Sequence, residues 1–206
     1  MKKANSVVIL DFETTGLSPV QGDRAIEIGA VRLVDGKVEQ QFQRLMNPGR
    51  PISAFIAQYT GITNQMLATA QPCAQVMAEF ADFIADDNLI AHNAQFDKRF
   101  LDAELERIGR HYSGQFGCSL LVSRRLFQQA PNHKLGTLVD FHNLAVEGDF
   151  HRALFDAQMT AKVWQVMLNH ISYRYNIKDI PFSLMQKVAK TSKSKVATLL
   201  GQFEVN

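Results

Sequence analysis

Ser6-Val7-Val8-Ile9-Leu10-Asp11-Phe12-Glu13-Thr14-Thr15-Gly16 is the stretch on which the rest of the chain turns. Ser6 to Phe12 is an apolar run rich in Val and Ile, too short for an ordinary helix, and it reads as a buried strand. It ends in two carboxylates, Asp11 and Glu13, two positions apart, and the period of a strand puts both on one face. Two like charges on one face repel, and burying either without a partner is costly, so a divalent cation would account for them. On spacing alone, two carboxylates turned into water at a strand end would account for them equally well. Gly16 permits a tight turn whose backbone N–H groups could hold a phosphate or a sugar hydroxyl, or a plain turn with Leu17 as its apolar plug.

Outward from this strand, Ala25 to Val34 and Lys37 to Leu45 are two further β-prone runs. They flank Asp35-Gly36, a dipeptide suited to the positive φ angles of a two-residue hairpin. The chain therefore opens as an antiparallel meander. Ser53 to Thr69 offers short helical pieces, and Pro72 fits an early position of a helix to Ala85, with Val76, Phe80, Phe83 and Ile84 at helical spacing. Asn88 to His92 reads as a short strand, Ala94 to Ile108 as an amphipathic helix and Phe116 to Cys118 as a last strand. Helices are expected near Leu120 to Gln128, Lys134 to Leu144 and Ala153 to His170. The expected fold is α/β, a mixed sheet of about five strands with helices on both faces. Residues 1–175 form the expected domain, followed by a basic C-terminal tail, 176–206, as a docking helix or a partly disordered segment.

Composition agrees with a globular domain: 206 residues, 46% hydrophobic and 20% charged. Cys73 and Cys118 are far apart and belong to no CxxC pair, which argues against a zinc ribbon or a secreted disulfide framework. Only the four apolar residues Val7 to Leu10 follow the basic start before Asp11, too few for a signal peptide. No run approaches the ~20 apolar residues of a membrane span. A soluble, cytoplasmic protein is expected. The net charge of +2 announces no polyanionic partner, but its distribution is uneven. From Arg174 onward six Lys or Arg face only Asp179 and Glu204, leaving the body mildly acidic.

Two further acidic positions join the first pair. Asp97 opens a helix directly after a strand, at the carboxyl end where α/β sheets place ligands, although an Asp there also suits the helix dipole. Asp156 lies about one turn inside the last long helix and His151 just before it, so both side chains can reach one end of the sheet. Histidine can take a proton near neutral pH and Asp suits a hard cation, while an exposed cap-region histidine is the plain alternative. His111, His133, His142 and His170 lack acidic company and read as surface or packing residues.

Taken together, Asp11-Phe12-Glu13-Thr14-Thr15-Gly16, Asn93 to Asp97, and His151-Arg152-Ala153 through Asp156-Ala157 resemble the three ordered motifs of the DEDDh, or DnaQ-like, exonucleases. This family includes the proofreading subunits of bacterial replicative polymerases, ribonuclease T and oligoribonuclease. The resemblance implies a ribonuclease H-like fold and 3′ to 5′ removal of nucleotides with two divalent metal ions, Mg²⁺ or Mn²⁺. It implies that Asp11, Glu13, Asp97 and Asp156 bind the metals and that His151 is the general base. It also implies substrate contacts from Thr14, Thr15 and Leu17, and from His92, Asn93 and Phe96. The expected substrate is the 3′ end of single-stranded nucleic acid, DNA in preference to RNA, in proofreading or repair. A DNA polymerase subunit is the expected partner through the tail, which could instead contact nucleic acid through Lys187, Lys190, Lys193 and Lys195. An RNA-trimming exoribonuclease and a non-catalytic binding module are the alternatives.

Overall fold

A computed structural model describes residues 2–146 and 151–203. β1 (Val7–Thr14), β2 (Ala25–Val34) and β3 (Lys37–Asn47) form the meander. Its second turn is closed by Asp35 and Gly36 at φ 48° and 79°, as the dipeptide requires. β5 (Leu89–Ala91) lies parallel to β1, and β6 (Phe116–Cys118) parallel to β5. A sixth strand, β4 (Gln71–Pro72), extends the sheet by pairing parallel with Met46 and Asn47, giving the order β4-β3-β2-β1-β5-β6. Two residues are too few to leave a periodic signal, so about five strands was one short. Pro72 consequently precedes the helix, serving as its N-cap in extended conformation.

The helices are α1 (Ala54–Thr60), α2 (Asn64–Ala68), α3 (Cys73–Ile84), α4 (Gln95–Glu106), α5 (Ser119–Leu126), α6 (Leu135–Phe141), α7 (Ala153–Tyr175), α8 (Phe182–Lys190) and α9 (Val196–Gly201). β1 is apolar at every position from Val7 to Leu10 because both of its faces are covered. Val8, Leu10 and Phe12 pack with Met77, Phe80 and Phe100 of α3 and α4, while Val7 and Ile9 pack with Phe155, Met159 and Trp164 of α7. Asp11 and Glu13 continue the second row and so emerge on the α7 side.

Residues 177–203 pack onto the body. Phe182, Leu184, Met185, Val188, Val196 and Leu200 are buried in the same cluster as Trp164. Backbone bonds Ala4 N–H to Ile180 O (2.8 Å) and Phe182 N–H to Lys2 O (3.0 Å) tie their start to the first residues of the chain. Pro181 and the run of lysines obscure this pattern in the sequence, although the apolar positions of α8 all fall on one side.

Candidate active site

α7 begins directly over β2, and the approach is close enough to need a glycine. A Cβ on Gly29 would lie 2.0 Å from Leu154 N and 2.1 Å from Ala153 C. Gly29 pairs across the sheet with Asp11, so the contact that seats the first turn of α7 also sets Asp156 beside Asp11. One carboxylate oxygen from each of Asp11, Glu13 and Asp156 lies within 4.8 Å of the others. Asp97, on the first turn of α4, reaches from the other side, its Oδ1 accepting the Phe12 N–H at 3.1 Å.

This concentration of carboxylates is electrostatically expensive. Burial first, then Asp97, Asp156, Glu13 and Glu27, hold Asp11 well above the usual carboxylate range. Burial and neighbouring carboxylates push Glu13 up to about 8, and burial pushes Asp97 to about 7 and Asp156 to about 6. An all-oxygen set that is this reluctant to ionise unaided fits a hard divalent cation, which supplies the missing positive charge.

His151 stands at the mouth with φ 70°, a left-handed conformation that costs a non-glycine residue about 1–3 kcal/mol. Two contacts hold it there. Its backbone N–H donates to Asp156 Oδ2 at 2.8 Å, and its ring lies 4.1 Å, centroid to centroid, from Tyr59 of α1. Tyr59 in turn stacks on Phe55 at 6.0 Å, and both rings are largely exposed.

One cavity of about 770 Å³ takes in Asp11, Glu13, Asp97, His151 and Asp156 together with Thr14, Thr15, Leu17, His92, Asn93 and Phe96. The structure thus brings every sequence-derived candidate to one place, but their surroundings differ. Leu17 is 77% exposed and projects from the loop after β1. The Thr14 hydroxyl donates to Gly16 O and the Thr15 hydroxyl to Asp23 Oδ1, fastening that loop. His92 is bonded at both ring nitrogens, to Ser119 Oγ and to His133 O, each at 2.9 Å. Burial, with smaller contributions from the charges of His133 and Arg124, lowers it to about 4. It is a neutral wall rather than a proton carrier. Phe96 packs on Phe100, and Asn93 turns the chain at φ 68°.

Sequence reasoning missed Glu27, Arg152, Phe55 and Tyr59 as parts of this site. Glu27 is fully buried and sits opposite Glu13 in the β1–β2 register. It accepts from Arg152 Nη2 at 2.8 Å, Arg152 Nε at 3.2 Å, Ala153 N at 3.1 Å and Gln43 Nε2 at 2.9 Å. The bonds from Arg152 and Ala153 anchor the start of α7 to the sheet. A lone carboxylate in the apolar run Ala25 to Val34 was the available signal for Glu27.

The exonuclease family model RNase T matches residues 8–164, which spans the whole site. The chain belongs to this exonuclease family. It is 37% identical over 199 residues to a PolC-type DNA polymerase III of Caldanaerobacter subterraneus and 34% identical over 197 to that of Streptococcus sanguinis. These matches cover 97% and 93% of the chain but 13% of each polymerase, so the chain spans about an eighth of the length of these relatives. Among solved structures it resembles exonuclease X in complex with 5′-overhanging duplex DNA, with TM-score 0.65, 24% identity, and coverage of 94% of this chain and 99% of that one. It also resembles E. coli exonuclease I in complex with a dT13 oligonucleotide, with TM-score 0.67, 17% identity, and coverage of 82% and 41%. These likenesses confirm the ribonuclease H-like fold.

Proposed function

We propose that this exonuclease-family domain is a metal-dependent 3′ to 5′ exonuclease. It removes nucleoside 5′-monophosphates from single-stranded ends, DNA in preference to RNA, in proofreading or repair. The observation that carries the proposal is the convergence of Asp11, Glu13 and Asp156 within 4.8 Å, with Asp97 and His151 in the same cavity.

Asp11, Glu13, Asp97 and Asp156 would hold two divalent cations, Mg²⁺ or Mn²⁺. Bound there, such ions neutralise a phosphodiester, favour ionisation of an attacking water and stabilise a leaving alkoxide. The protein's own groups do the rest. His151 accepts the proton of the attacking water, its backbone fixed by Asp156 and its ring supported by Tyr59. Leu17 and Phe55 line the cavity as apolar surfaces, and unstacked terminal bases gain from such contacts. Thr14, Thr15, Asn93, Phe96 and the neutral ring of His92 complete the walls around the terminal nucleotide.

Such a site does not itself read the 2′ hydroxyl, and the preference for DNA follows the PolC relatives. The same relatives support a polymerase partner. A comparison of linear with circular single-stranded DNA tests the exonuclease reading. Degradation of the linear form with the circle intact is the expected result, and nicking of the circle would overturn it.

A further inference from the structure

Two stretches of the chain contain no Asp or Glu: 107–139, with Arg124, Arg125 and Lys134, and 180–203, with Lys187, Lys190, Lys193 and Lys195. They are remote in sequence, and the fold joins them. α8 packs against α5, Arg125 Nε donates to Thr191 O at 2.6 Å, and Gln128 Nε2 donates to Lys193 O at 3.4 Å. Arg124, Lys134, Lys187, Lys190, Lys193 and Lys195 are all exposed. Among the described residues, no ion pair links any of these cations to a carboxylate, whereas Arg24, Arg32, Arg107, Arg110 and Arg152 are each paired.

This cationic face adjoins the catalytic cavity. α5 starts at Ser119, whose hydroxyl meets one nitrogen of His92, and the loop after α5 returns His133 O to the other nitrogen. Leu135, beside Lys134, lines the cavity itself. α5 spans about 12 Å, so its far end lies at a distance a strand leaving the site can reach. The apolar side of α8 is already buried against the body, and what it turns outward is Ser183, Lys187 and Lys190. A surface with surplus positive charge, on which Leu121 of α5 is the one exposed large apolar side chain among the described residues, fits a phosphate chain.

We propose that the α5–α8 face is a binding track for the phosphate backbone of the strand upstream of the 3′ terminus. The inference rests on the exonuclease reading of the cavity and deepens it, since it assigns the C-terminal segment to substrate. Phosphate contacts release counterions, each lowering the slope of log K against log salt by roughly 0.7 for a single strand.

The test is a Lys187→Gln/Lys190→Gln/Lys193→Gln variant, whose exposed positions leave the core untouched. Binding of a labelled 20-nucleotide strand with phosphorothioate 3′ linkages is followed by anisotropy across salt concentrations with Mg²⁺ present. Turnover of a dinucleotide is measured in parallel. The salt slope is expected to fall by about 2 and affinity at low salt by roughly tenfold, with dinucleotide turnover unchanged. An unchanged slope and affinity would overturn the track. Loss of a polymerase subunit in a pull-down with the slope intact would do the same, in favour of a protein contact. If the variant loses binding while neither protein cleaves the dinucleotide or an unmodified 20-nucleotide strand, the face still binds a phosphate backbone and the hydrolytic reading falls.

Discussion

At the scale of single residues the site is governed by charge. Glu13 at about 8, Asp97 at about 7 and Asp156 at about 6 are raised first by burial and then by neighbouring carboxylates, against an ordinary range near 4. The folded protein without metal therefore holds protons that the unfolded chain has released. Its stability is expected to fall as pH rises from about 4 to about 8. Divalent cations compete with those protons and relieve the repulsion, so the gain in Tm on adding Mg²⁺ is expected to be larger at pH 8 than at pH 6. Thermal denaturation at the two pH values checks this, and equal gains would contradict it. Arg152 answers the buried charge of Glu27 from a partly exposed position. Arg152→Ala is expected to destabilise by about 3 kcal/mol, measurable by denaturant titration, because it strands a carboxylate among others. Its loss of the anchor under α7 is expected to weaken Mg²⁺ binding by roughly 10- to 100-fold.

At the scale of elements, the position of α7 decides whether a site exists. Gly29→Ala has no room for its methyl group beneath Ala153 and Leu154, so α7 must shift. A destabilisation of about 1–3 kcal/mol is expected, with a disproportionate loss of kcat because Asp156 and His151 move with the helix. Wild-type kcat in a folded variant would show that this close approach does not set the site. The glycine was visible in the sequence, but only the structure shows what crosses it. By contrast, the meander was legible directly: Ala25 to Val34 is β2 to the residue, and Asp35-Gly36 makes its turn. Asp11 and Glu13 were legible because the strand period fixes their shared face. Glu27 and Arg152 were not paired in advance, since each sits 125 residues from the other and neither has a local pattern. Tyr59 was passed over because α1 is short and carries no helical period. A Tyr59→Ala exchange is expected to lower kcat severalfold by freeing the His151 ring, with Tyr59→Phe restoring it; an effect on KM alone would assign Tyr59 to substrate contact instead.

At the scale of the whole molecule, the C-terminal segment is joined to the domain through its core. Phe182 is buried against Trp164 and the sheet, so Phe182→Ala is expected to cost about 3–5 kcal/mol. Truncation before it should lower Tm sharply, and a truncated chain with unchanged Tm would contradict this packing. Function at the segment is therefore better examined through its exposed lysines than by deletion. The central claim is that one cluster of four acids and His151 removes nucleotides from 3′ ends. It is tested most directly by single-turnover digestion of matched 5′-labelled DNA and RNA strands with Mg²⁺, beside an Asp11→Ala control. The expected result is a stepwise ladder, stronger on DNA, that is absent without metal and in the control. A ladder surviving in Asp11→Ala, or no ladder on either strand from folded, metal-loaded protein, would contradict it.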